Sequence, residues 1–297
     1  MERKLRIDAF GATCLVLFSA LLGFNQVLVK IVNDGMQPVF QAGLRSLCAF
    51  PLLLIFALIM KRKLSVTDGT FWPGMFVGTM FAGEFVLLFL ALDYTSVARA
   101  SIFFYTMPFW VAVGAHFLIP GDRLTPIRVL GLVLAIAGVV LALSQDSAPV
   151  TPKAFLGDLI CLLAATMWAA IALAARTTKL CNTSSEMLLL YQLAVSALLI
   201  LIVAPFFGPL IRDLQPYHIG IFSFQVVGVV CIGFLAWFWL LSKYPTSDMA
   251  SFGFLAPVFG VAFGWVILDE PVGIRLLAAL VLVGIGIVLV NRRPKSQ

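Results

Sequence analysis

Ten apolar stretches of about twenty residues follow one another along this chain, at 10–32, 38–60, 71–92, 97–119, 127–143, 155–177, 186–207, 218–241, 248–268 and 271–290, with no break longer than about eleven residues. A helix needs roughly 20 mostly apolar residues to cross the hydrocarbon core of a bilayer. Lipid offers the backbone no hydrogen-bond partner, so such stretches cross as helices. The composition agrees: 62% of the 297 residues are apolar, 11% are charged and the mean hydropathy is +1.06. Soluble domains average about half apolar and a quarter charged. A soluble catalytic or DNA-binding domain has no room here, and a disordered chain would need more charge and fewer than 26 Phe. The expected fold is all-α and integral to the membrane, with ten transmembrane helices.

The breaks carry turn chemistry, as in Asn33-Asp34-Gly35, Lys61-Arg62-Lys63 and Pro120-Gly121-Asp122. The basic N-terminus (Arg3, Lys4, Arg6) resembles a signal peptide, but its apolar run is about twice the usual length and no small-residue cleavage site follows, so it reads as a retained first helix. Cytoplasmic loops hold the excess of Lys and Arg. With the N-terminus inside, fourteen basic residues fall on the cytoplasmic side and five (Lys30, Arg99, Lys153, Arg212, Arg275) on the other, with Arg45 inside a span. Both termini are therefore expected in the cytoplasm. The net charge of +6 reads by side, not as an affinity for nucleic acid.

Catalytic signatures are missing. The five cysteines form no C-x-x-C pair, and His116 and His218 are too few for a metal site of ordinary spacing. There is no phosphate-binding loop of the Walker type and no serine-nucleophile elbow. No metal, cofactor or enzymatic activity is expected.

The chain repeats itself. Ala-Leu-Asp-Tyr-Thr-Ser at 91–96 is echoed by Leu-Ser-Lys-Tyr-Pro-Thr-Ser at 241–247, and Phe-Phe-Tyr-Thr-Met-Pro at 103–108 by Phe-Gly-Phe-Leu-Ala-Pro at 252–257. Polar and Pro positions match at a near-constant offset, which divides the chain into halves at 1–147 and 148–297. A repeat of five helices, an odd number, sets its second copy upside down in the membrane. Inverted repeats that rock about a midplane site are a transporter architecture.

These residues resemble the EamA-type branch of the drug/metabolite transporter superfamily. The resemblance covers nearly the whole chain and is carried by Pro120 to Arg128 with Gly131 and Gly138, by Ala256 to Phe259 through Leu268-Asp269-Glu270-Pro271, and by Gly157-Asp158, Trp168 and Arg176. Within the family the chain is most similar to the ten-helix, YddG-type exporters of amino acids, on Trp168 and Met107-Pro108. The resemblance implies export across a bacterial inner membrane, with a cavity lined by helices 1, 3, 4, 6, 8 and 9 and with helices 5 and 10 at the periphery.

Candidate path residues follow from position. Ser101, Phe104, Tyr105 and Pro108 recur on one helical face. Pro108 and, in the second half, Pro257 beside Phe254 are either tolerated kinks or matched hinges. Trp168 sits mid-helix, where an indole is either packed or facing substrate. Trp237 and Trp239 project to opposite faces, so at most one meets the cavity; Trp239 is taken as a candidate. Gly74, Gly78, Gly260 and Gly264 have the spacing of close helix contacts. Arg45 and Glu84 lie at matching depth inside apolar windows, where an unpaired charge costs about 2.5–3.5 kcal/mol. They form a buried ion pair or a proton-coupling site. Asn25, Gln26 and Gln41 suggest a polar vestibule beside them.

The expected function is export of small metabolites, foremost neutral and aromatic amino acids, by alternating access. Asn25 and Ser101 would hold the polar end of the substrate, and Tyr105, Met107, Trp168 and Phe254 its apolar part. The alternative is proton-coupled export of lipophilic cations, with Glu84 as the acidic group. Expected partners are the substrate, membrane lipid and, as a candidate, protons. A second copy of the chain is not required, because one chain holds both halves.

Overall fold

A computed structural model describes residues 7–120, 124–143, 151–244, 249, 252–253 and 255–291. These residues form helices, with one isolated β-bridge between Met36 and Ile211. Eight helical segments are long and apolar enough to cross a membrane, and two shorter apolar helices follow, Leu255–Leu268 and Ile274–Val290.

The first half contains α1 (Ala9–Gly35), α2 (Pro38–Ile59), α3 (Phe71–Tyr94), α4 (Val97–Phe104), α5 (Met107–Leu118) and α6 (Pro126–Leu143). The second contains α7 (Pro152–Thr177), α8 (Ser185–Val203), α9 (Pro216–Phe224), α10 (Phe234–Lys243), α11 (Leu255–Leu268) and α12 (Ile274–Val290). Local chemistry explains the starts. Pro38, Pro152 and Pro216 occupy first positions, where the missing N–H costs nothing. Asp8, Ser96 and Ser184 accept from Gly11, Arg99 and Met187 N–H at 2.8, 3.1 and 3.2 Å, which satisfies orphan donors.

Two expected helices are interrupted. The fourth window breaks at Tyr105-Thr106, just before Pro108, which cannot continue the ladder of hydrogen bonds from the preceding turn. In the eighth, a π-helical stretch, Gln225–Gly233, joins α9 to α10. Pro257 likewise stands in the first turn of its helix, α11.

Helices pack in matched pairs. α2 lies on α8 and α6 on α12, while the contact of α3 with α7 is answered by α1 with α9 and the π stretch, and that of α1 with α11 by α7 with α4 and α5. The network maps onto itself when each span is exchanged for the fifth one along. α1 ends, and α7 begins, at the same end of the bundle, beside the C-terminus of α3: Lys30 and Lys153 both reach residues 93–95 there. The leading helices of the two halves thus run in opposite directions.

In lipid, helices associate by close packing of small residues rather than by expelling water. A Cβ on Gly23 would lie 2.6 Å from Gly260 N, and one on Gly131 2.9 Å from the Gly286 carbonyl. Gly74 and Gly78 meet Tyr191 and Val195 in the same way. The outer surface carries exposed Leu58, Trp72, Phe117, Ile136, Phe206 and Val281. Such a surface suits hydrocarbon and would aggregate in water.

Candidate functional site

A cavity of about 450 Å³ runs through the centre of the bundle, within the usual size of small-molecule sites. Its wall is drawn from α1, α2, α3, the α4–α5 break, α7, α8, the π stretch, α10 and the approach to α11, with nothing from α6 or α12. The lining is mainly aromatic and aliphatic. Phe81, Phe85 and Phe89 form a ladder along α3, with ring centroids 4.0 and 5.7 Å apart. Phe104 and Tyr105 meet edge to face at 5.6 Å at the break.

Polar groups on the wall are few and under-satisfied. Glu84 and Arg45 are 2% and 5% exposed, yet no hydrogen bond or ion pair joins either to a described residue. The Arg45 guanidinium lies over the rings of Phe85 and Phe89, 4.5 and 4.8 Å from their centroids, a cation–π contact that leaves its N–H groups unspent. Asn25 Oδ1 is a further buried atom without a partner. Arg45 and Glu84 feel each other's charge, but no hydrogen bond or contact at ion-pair distance joins them, and the guanidinium lies on the α3 rings.

Of the residues singled out in the sequence, Asn25, Arg45, Glu84, Phe104, Tyr105, Met107 and Trp168 stand on the cavity wall. Ser101 does not. It is fully buried between helices, its hydroxyl donating to Gln26 Oε1 and its side chain facing Gly260; the face it shares with Tyr105 ends where the helix breaks. Trp239 turns outward, 41% exposed and edge to face with Phe10 at 6.0 Å. Trp237 takes the inward position, stacked on Phe18 at 5.0 Å. Pro108 and Pro257 are off the wall, each in the first turn of its helix, α5 and α11. Phe254 lies outside the described residues.

Charged contacts join the halves at both ends of the bundle: where α1 begins, Arg62 pairs with Glu186 at 2.9 Å and the Tyr244 hydroxyl donates to Asp8 at 2.7 Å, and where α1 stops a larger network forms the latch. Arg212 binds Asp93 through Nη1 and Nη2 at 2.7 and 3.2 Å and donates to the Asn33 carbonyl; the Asp93 carboxylate raises the guanidinium above its ordinary basicity. Asp158 in α7 accepts from Arg99 in α4 and from Thr95. Glu270 accepts from Val97 and Ala98 N–H at 2.7 and 3.0 Å and pairs with Lys30 at 3.5 Å. A carboxylate on the first turn of α4 meets the positive end of the helix dipole. The turn that delivers it uses Asp269 at φ 52°, a left-handed conformation that Asp tolerates better than most residues. By sequence, Arg99 counts only as a basic residue of the outer side, and its partnership with Asp158 is missed, although both are charges near the ends of apolar windows.

Glu270→Ala removes two charge-assisted hydrogen bonds and an ion pair across the halves. A cysteine replacing the fully buried Ala98 is then expected to react with a thiol reagent about tenfold faster or more, the scale of one such bond. An unchanged rate would show that Glu270 does not hold this end shut.

Comparison with known proteins places this architecture. The profile of the EamA-like transporter family matches the chain twice, over residues 9–144 and 155–292. The chain belongs to this family, whose members are transporters rather than enzymes. It is 30% identical to a probable amino-acid metabolite efflux pump of Escherichia coli, covering 88% of each chain. It is 24% identical to an uncharacterized transporter of Bacillus subtilis, covering 92% of this chain and 94% of that one. A solved crystal structure superposes with a TM-score of 0.67 at 20% identity, over 95% of this chain and 96% of the other, which shows the shared fold.

Proposed function

We propose that this protein is an alternating-access carrier that exports small amphiphilic metabolites, foremost neutral and aromatic amino acids, across a bacterial inner membrane. The chain crosses ten times as two inverted five-helix repeats, with both termini in the cytoplasm and the latched end outside. The observation that carries this reading is the central cavity, apolar over most of its wall and set with a few unpartnered polar groups. Such a wall suits a ligand with one apolar part and one polar part. Similarity to probable amino-acid metabolite efflux pumps supports the same substrate class. Breakable polar contacts between the halves, more numerous at the end where α1 stops, and interrupted helices beside the cavity suit alternating access, which needs seals that break and backbone that bends.

The test is uptake by the purified protein in proteoliposomes, with labelled leucine, methionine, phenylalanine, glutamate and lysine and a lipophilic cation. Saturable uptake of the neutral or aromatic amino acids, accelerated by the same substrate on the far side, is expected. Uptake of the cation without any amino acid would replace the reading with drug export. Flux that never saturates would replace the carrier with a channel.

A further inference from the structure

We propose that Arg45 and Glu84 form a clamp for a zwitterion, so that the carrier selects molecules bearing both a free carboxylate and a free ammonium. The proposal rests on the amino-acid reading above and specifies which end of the substrate is recognised, and by what. Arg45 and Glu84 are the only charged side chains on the cavity wall among the described residues. Both are more than nine-tenths buried, and each has a polar atom without a partner in the protein, Arg45 Nε and Glu84 Oε2.

Buried opposite charges usually satisfy each other, since a lone buried charge is costly. Here they share a wall and interact across it, but no hydrogen bond or close ion pair joins them. The guanidinium rests on the Phe85 and Phe89 rings, which hold it in place but use none of its donors. A ligand carrying both charges completes both groups: its carboxylate accepts from Arg45, and its ammonium donates to Glu84. Asn25 Oδ1, the third unpartnered atom on the wall, is a further acceptor for the ammonium.

Charge balance sets the selectivity. The wall carries one acidic and one basic side chain, so a zwitterion offers a partner to each. A monocation would pair with Glu84 and leave Arg45 unmatched, and a monoanion would do the reverse. Leaving a buried charge uncompensated is a strong basis for rejection. The clamp therefore disfavours both lipophilic cations and organic acids of the same shape.

Competition against uptake of labelled phenylalanine tests this in the wild-type protein, with unlabelled phenylalanine, phenethylamine and 3-phenylpropionate as competitors. The two one-ended analogues keep the ring and lose one charge each. Phenylalanine is expected to compete at least about tenfold more strongly than either, the scale of one charge-assisted hydrogen bond. Arg45→Gln should narrow the gap for phenethylamine, and Glu84→Gln the gap for 3-phenylpropionate, each leaving the other gap open. Equal competition by all three in the wild type would overturn the clamp while leaving the amino-acid reading intact. Failure of phenylalanine, leucine and methionine alike to be taken up, with the protein monodisperse, would overturn both. Narrowing of both gaps by either variant would assign Arg45 and Glu84 to packing and overturn the clamp.

Discussion

Asp158→Ala is expected to cost about 3–5 kcal/mol, the largest loss of stability from any single change at the latched end. Asp158 is fully buried in α7 and accepts from Arg99 Nε at 3.1 and 3.2 Å, from Arg99 Nη2 and from Thr95 Oγ1 at 2.8 Å. Without it, the Arg99 guanidinium loses the carboxylate that both its Nε and its Nη2 reach. Removing one partner of a buried pair costs more than replacing both, so Arg99→Leu with Asp158→Leu should recover much of the loss. The measurement is the thermal midpoint in detergent, where Asp158→Ala should fall by about 5–10 °C. Cys161 offers a local readout, because its thiol is fully buried one turn from Asp158, against the Ala100 carbonyl of α4. Its labelling should quicken in the single variant. If the double variant melted no higher than the single one, the buried-pair account would be wrong.

The contrast between this pair and Arg45 with Glu84 shows what the sequence discloses. All four charges interrupt apolar windows, so their existence was legible. Their pairing was not, because partners come from helices far apart in the chain: residues 99 and 158 meet only when α4 and α7 pack, and residues 97 and 270 only when α11 folds back over α4. Most helix limits were visible, since hydrocarbon demands long apolar runs and the Pro and Gly residues at their ends are local signals. The π stretch was not, because Gln225 to Gly233 reads as ordinary apolar helix; its one hint is a buried Gln, which bonds to Gln41 on α2 at 3.2 Å. Helical spacing sorted Trp237 from Trp239 into opposite faces but not into inside and outside. Nothing local distinguishes an aromatic that faces lipid from one that faces a cavity, since both surroundings are apolar.

That ambiguity gives the sharpest functional comparison. Trp168→Ala should raise the half-saturating concentration of phenylalanine about tenfold or more, because a half-buried indole on the wall offers a large apolar contact and its loss leaves a void that the substrate cannot refill. Trp168 lies near the middle of α7, and its helix also supplies Ile171 and Ala172 to the wall, so the ring meets whatever occupies the centre. Trp168→Phe keeps a flat aromatic surface and should retain most of the affinity. Trp239→Ala serves as the control: its ring points to the outer surface beside Phe10, and uptake should change little. Trp237→Ala should lie between the two, since its ring lines the cavity while stacked on Phe18. The order Trp168, Trp237, Trp239 in uptake kinetics, with all variants reconstituted at equal density, is what a central substrate site demands. An equal effect of Trp168→Ala and Trp239→Ala would locate the contribution of Trp168 in helix packing and move the site away from the centre of the bundle.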